Sequence, residues 1–189
     1  MSAAPADARS RTFRGGVHPH EYKESTHALP IERMPFVGEY VLPLSQHIGA
    51  PSRAVVEVGQ QVQRGQLIAA PAGFVSVALH SPVTGKVTAI DLRLHPNGRM
   101  MPSIVIATDP LDSQRIPETH PVDPASLTPK EMVSLVQNGG LVGLGGAAFP
   151  SHVKFQVPEG KRMQAAVING CECEPYLTCD HRLMVERPE

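Results

Sequence analysis

The chain has no tryptophan, and aromatic residues make up only 4% of its 189 positions. With 19 prolines and 16 glycines in their place, the composition argues against a helical bundle and for short strands joined by many turns. Cysteine is almost absent. Three residues, all within 171–179, are odd in number and too clustered for a disulfide framework, and such a set suits a reducing cytoplasm. Neither sign of charge is in excess: 17 basic and 18 acidic residues give a net charge of −1, which leaves no electrostatic footprint for nucleic acid. No apolar run approaches the roughly 20 residues that cross a bilayer, so a soluble or peripheral protein is expected. The opening "MSAAPADARSRTFRGG" has arginines but lacks the apolar stretch of a secretory signal, and residues 1–14 read as a disordered arm.

Short apolar runs separated by turn residues fill positions 40–108. "YVLPL", "AVVEV", "QLIAA", "FVSVAL", "GKVTAI" and "SIVIAT" each predict a strand, and Asn97-Gly98 predicts a hairpin turn with both central residues at positive φ. Residues 15–108 are therefore expected to form an all-β domain. Within it, "VEVGQQVQRGQLI" is similar to the first half of a biotinyl/lipoyl-like barrel-sandwich hybrid, and "HSPVTGKVTAI" to the second. Carriers of that shape bear a lysine on the hairpin between the halves. Here "AAPAGFVSVAL" has none, and Lys86 follows the Thr84-Gly85 turn on a strand, where it should face solvent. The module is expected to be a scaffold or docking piece.

Residues 109–127 hold many prolines and few apolar residues, and read as a linker. Beyond it, Thr128 is placed to cap a helix with Pro129 at its first position, Glu131 at its third and Gly139 just past its end. Met132, Leu135 and Val136 should form its apolar face. The helix runs into "GLVGLGGAAFPSHVKF", which holds four glycines and two alanines. Gly143, Gly145 and Ala148 satisfy G-x-G-x-x-[GA] formally. The dinucleotide mechanism, however, needs a strand before the motif and an uninterrupted helix after it, whereas a helix precedes and Pro150 follows. A P-loop is excluded because no G-K-[ST] closes the segment. Two readings stay open: a cradle of backbone N–H groups with Lys154 reaching a phosphate, or a glycine-rich turn packed under the β module.

"QAAVINGCECEPYLTCDHRLM" begins with a run, 165–168, that reads as a buried strand. It ends in Asn169-Gly170 and the carboxylates Glu172 and Glu174, where ligands of open α/β sheets gather. Thr178 or Asp180 could cap a following helix. Cys171, Cys173 and Cys179 form C-x-C-x5-C, which lacks the tight four-cysteine loop of a cluster site. A zinc site would need a fourth ligand such as His181, so small buried side chains are the simpler reading. His18-Pro-His20 reads as a loop, and the other histidines have no assigned role.

Taken in order after the barrel-sandwich module, "GLGGAAFPSHVK" and "VINGCECEPYLTCDHRLM" resemble the RnfC family, a component of the Rnf ion-translocating electron transport complex. That family is related to the NADH-binding flavoprotein subunit of respiratory complex I and to the cobalamin reductase of bacterial microcompartments. "FRGGVHPHEYKE", "PLSQHIGAPSRAVVEVGQQVQRGQ" and "HPNGRMMPSIVI" extend the resemblance over residues 13–184. It implies two domains, an all-β barrel-sandwich hybrid followed by the start, 128–189, of an α/β Rossmann-like FMN/NADH-binding domain.

The resemblance also implies roles. Gly143, Gly145, Gly146 and Ala147 would lie against FMN, Lys154 would meet the flavin phosphate, and Phe149 would stack on the nicotinamide nucleotide. Asn169 and Glu172 would line the flavin site and Glu174 would hydrogen-bond NADH. A hydride would pass between nicotinamide and flavin, and electrons would go on to two [4Fe-4S] clusters whose ligands this chain does not carry. No side chain is identified as catalytic in itself. Partner subunits and a peripheral place on the cytoplasmic side of the inner membrane follow from the same source. Ala148 stands where the family has a third glycine, and Cys171 where the complex I relative has an acidic residue. The sequence is expected to be the N-terminal part of a longer protein. The alternatives are a non-catalytic docking module and a cobalamin reductase-like flavoprotein.

Overall fold

A computed structural model describes residues 17, 19–118, 121–144, 146–158, 160–172 and 174–188. The expected arm at 1–14 lies outside the described residues, as do His18, Gly145 and Cys173. The chain forms two compact units. One spans Pro35–Gln164, and the other joins the stretch up to Met34 with that from Ala165 onward.

The first unit is built on the β module. A four-stranded antiparallel sheet has the order β1 (Glu39–Pro43), β7 (Met100–Thr108), β6 (Gly85–Leu94), β3 (Gln61–Val62). A three-stranded sheet has the order β2 (Arg53–Ala54), β4 (Leu67–Ala70), β5 (Leu79–His80). Val56, Val62, Ile68, Val83, Val87, Ile104 and Ile106 form the core, and Ile68, Val83, Val87, Ile104 and Ile106 are fully buried. The strand alternation of the sequence supplies these residues, since in β7 Ile104 and Ile106 share one face.

Two turns of the same construction shape the first half of the module. In Glu57–Gln60 and again in Gln63–Gln66, a glycine stands third at positive φ (Gly59 +91°, Gly65 +86°), as a type II turn requires. In both, the closing glutamine side chain accepts the first residue's N–H, Gln60 from Glu57 at 3.0 Å and Gln66 from Gln63 at 2.9 Å. The first of these turns also ends the expected strand "AVVEV", of which only Ala54 is paired, in β2.

Three further expectations need correction. The β6–β7 hairpin forms, but only Gly98 has positive φ (+81°). His95–Gly98 is a turn with Pro96 and Asn97 at its centre, closed by Gly98 N–H to His95 O at 2.9 Å, and the left-handed glycine completes the connection. "FVSVAL" is a bend followed by a buried extended stretch, and only Leu79 enters a strand. The reason is that other groups take its backbone. Val77 N–H donates to His47 Nε2, Val77 O accepts from Ser52 Oγ, and Ala78 N–H donates to Gln137 O. Residues 165–168 form no strand, and Val167 and Ile168 are 91% and 88% exposed, because no segment among the described residues pairs with them.

The proline-rich stretch after β7 is laid on the module over its first half. The Gln114 side chain bonds both the N–H and the carbonyl of Thr84, and Arg64 donates to Gln114 O at 2.9 Å. Helix α1 (Pro129–Asn138) then begins with a full capping box, Thr128 and Glu131 bonding each other's backbone N–H. Met132 and Leu135 are exposed, while Val133, Val136 and Gln137 are partly covered. The buried face is thus rotated from the expected one.

Candidate functional site

The glycine-rich segment is a hairpin fastened to the β module at its base. Strands β8 (Val142–Gly143) and β9 (Phe149–Pro150) pair antiparallel, Gly143 opposite Phe149, and helix α2 (Ser151–Phe155) starts directly from Pro150. A short strand thus leads into the hairpin tip, and Pro150 stands at the N-cap of the helix that follows. Gly140, at φ +73°, makes the close approach at the base: a β-carbon there would stand 2.6 Å from Ala78 O. The Gln137 side chain donates to Gly73 O at 3.0 Å and Ser76 O at 2.9 Å. His152 is fully buried, its Nε2–H donating to Phe74 O at 2.6 Å while its ring meets Phe74 edge-on at 5.5 Å. His152 Nδ1 has no protein partner. Gln137 and His152 are silent in the sequence, because their partners are backbone carbonyls that carry no residue-type signal.

At the tip, Gly146 has φ +112° and faces open space, and Ala148 adopts φ +45°. Leu144 is 89% exposed. The Lys154 ammonium is brought back over the hairpin, 3.4 Å from where a Gly143 β-carbon would stand and 5.9 Å from the Phe149 ring centre. The structure therefore brings Gly143, Phe149 and Lys154 together, with Gly146 and Ala147 on the same loop. A surface without side chains beside a lysine fits an anionic group such as the phosphate of FMN, because backbone N–H groups can approach it unobstructed next to the ammonium.

Asn169, Cys171, Glu172, Glu174 and Cys179 belong to the second unit. Glu172 is not an open carboxylate. Its Oε1 accepts from Asp180 N–H at 2.6 Å and His181 N–H at 3.2 Å, so it caps helix α3 (Cys179–Glu186) in place of Thr178 or Asp180, neither of which caps it with its side chain. Its backbone carbonyl accepts from Lys23 Nζ at 2.8 Å. Asn169 Oδ1 accepts from Cys171 N–H at 3.0 Å and turns the chain locally. Glu174 is exposed and lines a cleft with His20, Glu21, Lys23 and Glu172. The thiols of Cys171 and Cys179 are free and exposed, not buried as expected. Among the described residues no group of three or more His, Cys, Asp or Glu is placed to hold a metal.

Comparison with known proteins places this geometry. Residues 11–111 match the RnfC barrel sandwich hybrid domain, and residues 136–189 match the Nuo51 FMN-binding domain. The chain is 43% identical over 186 residues to the RnfC-type component of the Na+-translocating ferredoxin:NAD+ oxidoreductase complex of Acetobacterium woodii, covering 94% of this chain and 40% of that protein. It is 41% identical over 181 residues to the same component of the proton-translocating complex of Clostridium ljungdahlii, covering 95% and 39%. Against its counterpart in the ion-translocating oxidoreductase complex of Pseudomonas aeruginosa it is 44% identical over 178 residues, covering 93% and 23%. The chain thus spans two fifths or less of the length of these relatives. With the match to its first domain covering more than half of the residues, the chain belongs to the RnfC family, its barrel-sandwich hybrid followed by an FMN-binding domain.

Proposed function

We propose that the chain is the flavin-proximal part of an oxidoreductase subunit that takes reducing equivalents between NADH and FMN, in an ion-translocating Rnf-type complex. The observation that carries this reading is the Lys154 ammonium held over a glycine hairpin beside Gly143 and Phe149. FMN, when bound, supplies the exchange between two-electron and one-electron chemistry. The chain's own residues bind and orient. Lys154 neutralises the phosphate, Gly143, Gly145, Gly146 and Ala147 leave the backbone open to it, and Phe149 offers a ring face to the nicotinamide nucleotide. Glu174 accepts hydrogen bonds from the nucleotide, and Asn169 shapes the loop that leads to it. Glu172 acts through the backbone it holds and not as a flavin contact.

On this reading residues 15–108 are the scaffold domain, 109–127 the connection and 128–189 the beginning of the nucleotide-binding domain. Two [4Fe-4S] clusters, whose ligands are not among this chain's residues, would supply the one-electron acceptors, and other subunits of the complex would be its partners. No helix among the described residues is long and apolar enough to cross a membrane, and the subunit is placed peripherally on the cytoplasmic face.

The test is FMN titration of the intact polypeptide by flavin fluorescence, with Lys154→Met and Gly143→Val beside the parent. Both variants are expected to lose affinity, Lys154→Met by roughly tenfold or more for one charge-assisted bond. Equal affinity in Lys154→Met and the parent rejects the hairpin as the phosphate site. A docking module without catalysis is the second reading. It is favoured by the seam at 73–78, where a helix C-terminus occupies the position at which carriers present an arm. It predicts no flavin binding by the parent.

A further inference from the structure

Three bulky residues of the second unit hold a backbone conformation that L-amino acids rarely adopt: Tyr22 at φ +51°, Glu172 at +47° and Tyr176 at +68°. Such geometry persists only where the surroundings impose it, and it collects at functional sites. Here the surroundings are specific. Lys23 Nζ donates to Glu172 O at 2.8 Å and stands 3.9 Å from the Glu172 carboxylate. Further along the loop, Tyr176 N–H donates to Glu21 O at 2.8 Å, and Thr26 Oγ1 donates to Tyr176 O at 3.4 Å. The Tyr22 and Tyr176 rings stack at 5.2 Å with their planes 12° apart. Residues 21–26 thus grip the loop at Glu172 and at Tyr176, on either side of Glu174, which stands exposed in the cleft.

We propose that Lys23 is a positioning residue for the nucleotide site. Its ammonium fixes the main chain at Glu172, and with it the Glu172 carboxylate that closes helix α3, so that Glu174 is presented to the nicotinamide nucleotide. The functional half of this statement rests on the nucleotide-binding reading of Glu174 given above. The Lys23 ammonium is engaged by Glu172. Exchange measured without nucleotide separates its positioning role from charge attraction of a nucleotide: Lys23→Arg keeps charge and donors, whereas Lys23→Met keeps the length and loses both.

The experiment is hydrogen–deuterium exchange of the intact polypeptide without nucleotide, followed by NADH titration, on the parent, Lys23→Met and Lys23→Arg. In Lys23→Met, exchange at 172–178 is expected to quicken by roughly tenfold or more, the loss of a hydrogen bond to a charged donor, with strands β6 and β7 unchanged. NADH affinity should fall by a similar factor, and Lys23→Arg should restore most of both. Unchanged exchange at 172–178 in Lys23→Met overturns the clamp. Quickened exchange with parental NADH affinity overturns the positioning role. A parent that binds no NADH rejects the nucleotide reading itself, an outcome distinct from a parent that binds and a Lys23→Met variant that binds equally.

Discussion

Gly140 lies so close to Ala78 that a β-carbon on the glycine would stand 2.6 Å from the alanine's carbonyl oxygen. Backbone touches backbone there, so no side-chain rotation can relieve an added methyl, and φ +73° adds strain of its own. Gly140→Ala should lower stability by about 2–4 kcal/mol in urea denaturation. Gly146→Ala, with the same sign of φ but open space around it, should cost only about 1 kcal/mol. Equal losses would mean that strain, not the approach to Ala78, makes the glycine necessary.

His152 secures the same seam from the other side. Its ring is fully buried, packs on Phe74 and donates to Phe74 O. His152→Ala removes a packed ring and leaves the Phe74 carbonyl only the long bond from Gln137 Nε2 at 3.4 Å. It should cost about 2–4 kcal/mol, read as a shift in the urea midpoint at unchanged slope. Loosening should be local: exchange at 73–78 and 141–155 should rise before that of β6 and β7.

The third prediction concerns pH. Burial holds the His80 ring below its ordinary pKa of 6.5. The unfolded chain therefore takes up this proton first as the pH falls. The contribution of His80 is complete above 6.5 and is lost as the pH drops from there through the lowered value. His80→Gln should show a shallower decline in melting temperature between neutral and acid pH than the parent. Parallel declines would exclude His80 as a source of the acid sensitivity.

The N-terminus of helix α1 offers a control away from the seam, which only its C-terminal end enters. Thr128 and Glu131 close its first turn reciprocally, and the Thr128 hydrogen bonds hold the Glu131 carboxyl below the usual glutamate range. The box is therefore intact at neutral pH and opens only as the pH falls through that lowered value. Thr128→Ala should destabilise by about 1 kcal/mol at neutral pH, measured by urea denaturation.

How much of this was legible in the sequence follows from where each partner comes from. Thr128, Pro129, Glu131 and Gly139 announce α1 because a cap is satisfied by neighbours in the chain. Strands β6 and β7 are legible for the same reason, their hairpin being local. "FVSVAL" misleads because its hydrogen bonds go to His47, Ser52 and Gln137, far away in sequence, and residues 165–168 mislead because apolar character alone does not supply a neighbouring strand. Among the site residues, Lys154 meets Gly143 and Phe149 because one hairpin and the helix that follows it carry all three. The capture of Glu172 by Lys23 could not be anticipated because Lys23 lies 149 positions away, and its capping of α3 was masked by Thr178 and Asp180, which stand nearer the helix start.

The bonds of Lys23 to Glu172, Thr26 to Tyr176 and Ile31 to Glu186 join residues 149, 150 and 155 positions apart. On a ribosome the first member of each pair emerges about 8 to 30 seconds before the second. Throughout that interval the Tyr22 ring lacks Tyr176 and the Lys23 ammonium lacks Glu172, while all of Pro35–Gln164 is synthesised between them. Loop closure over so long a chain is slow unless the intervening segment has already collapsed. The β module is thus a spacer in time: residues 35–164 are synthesised between Lys23 and Glu172, and whatever compaction they reach in that interval shortens the loop that the pair must close.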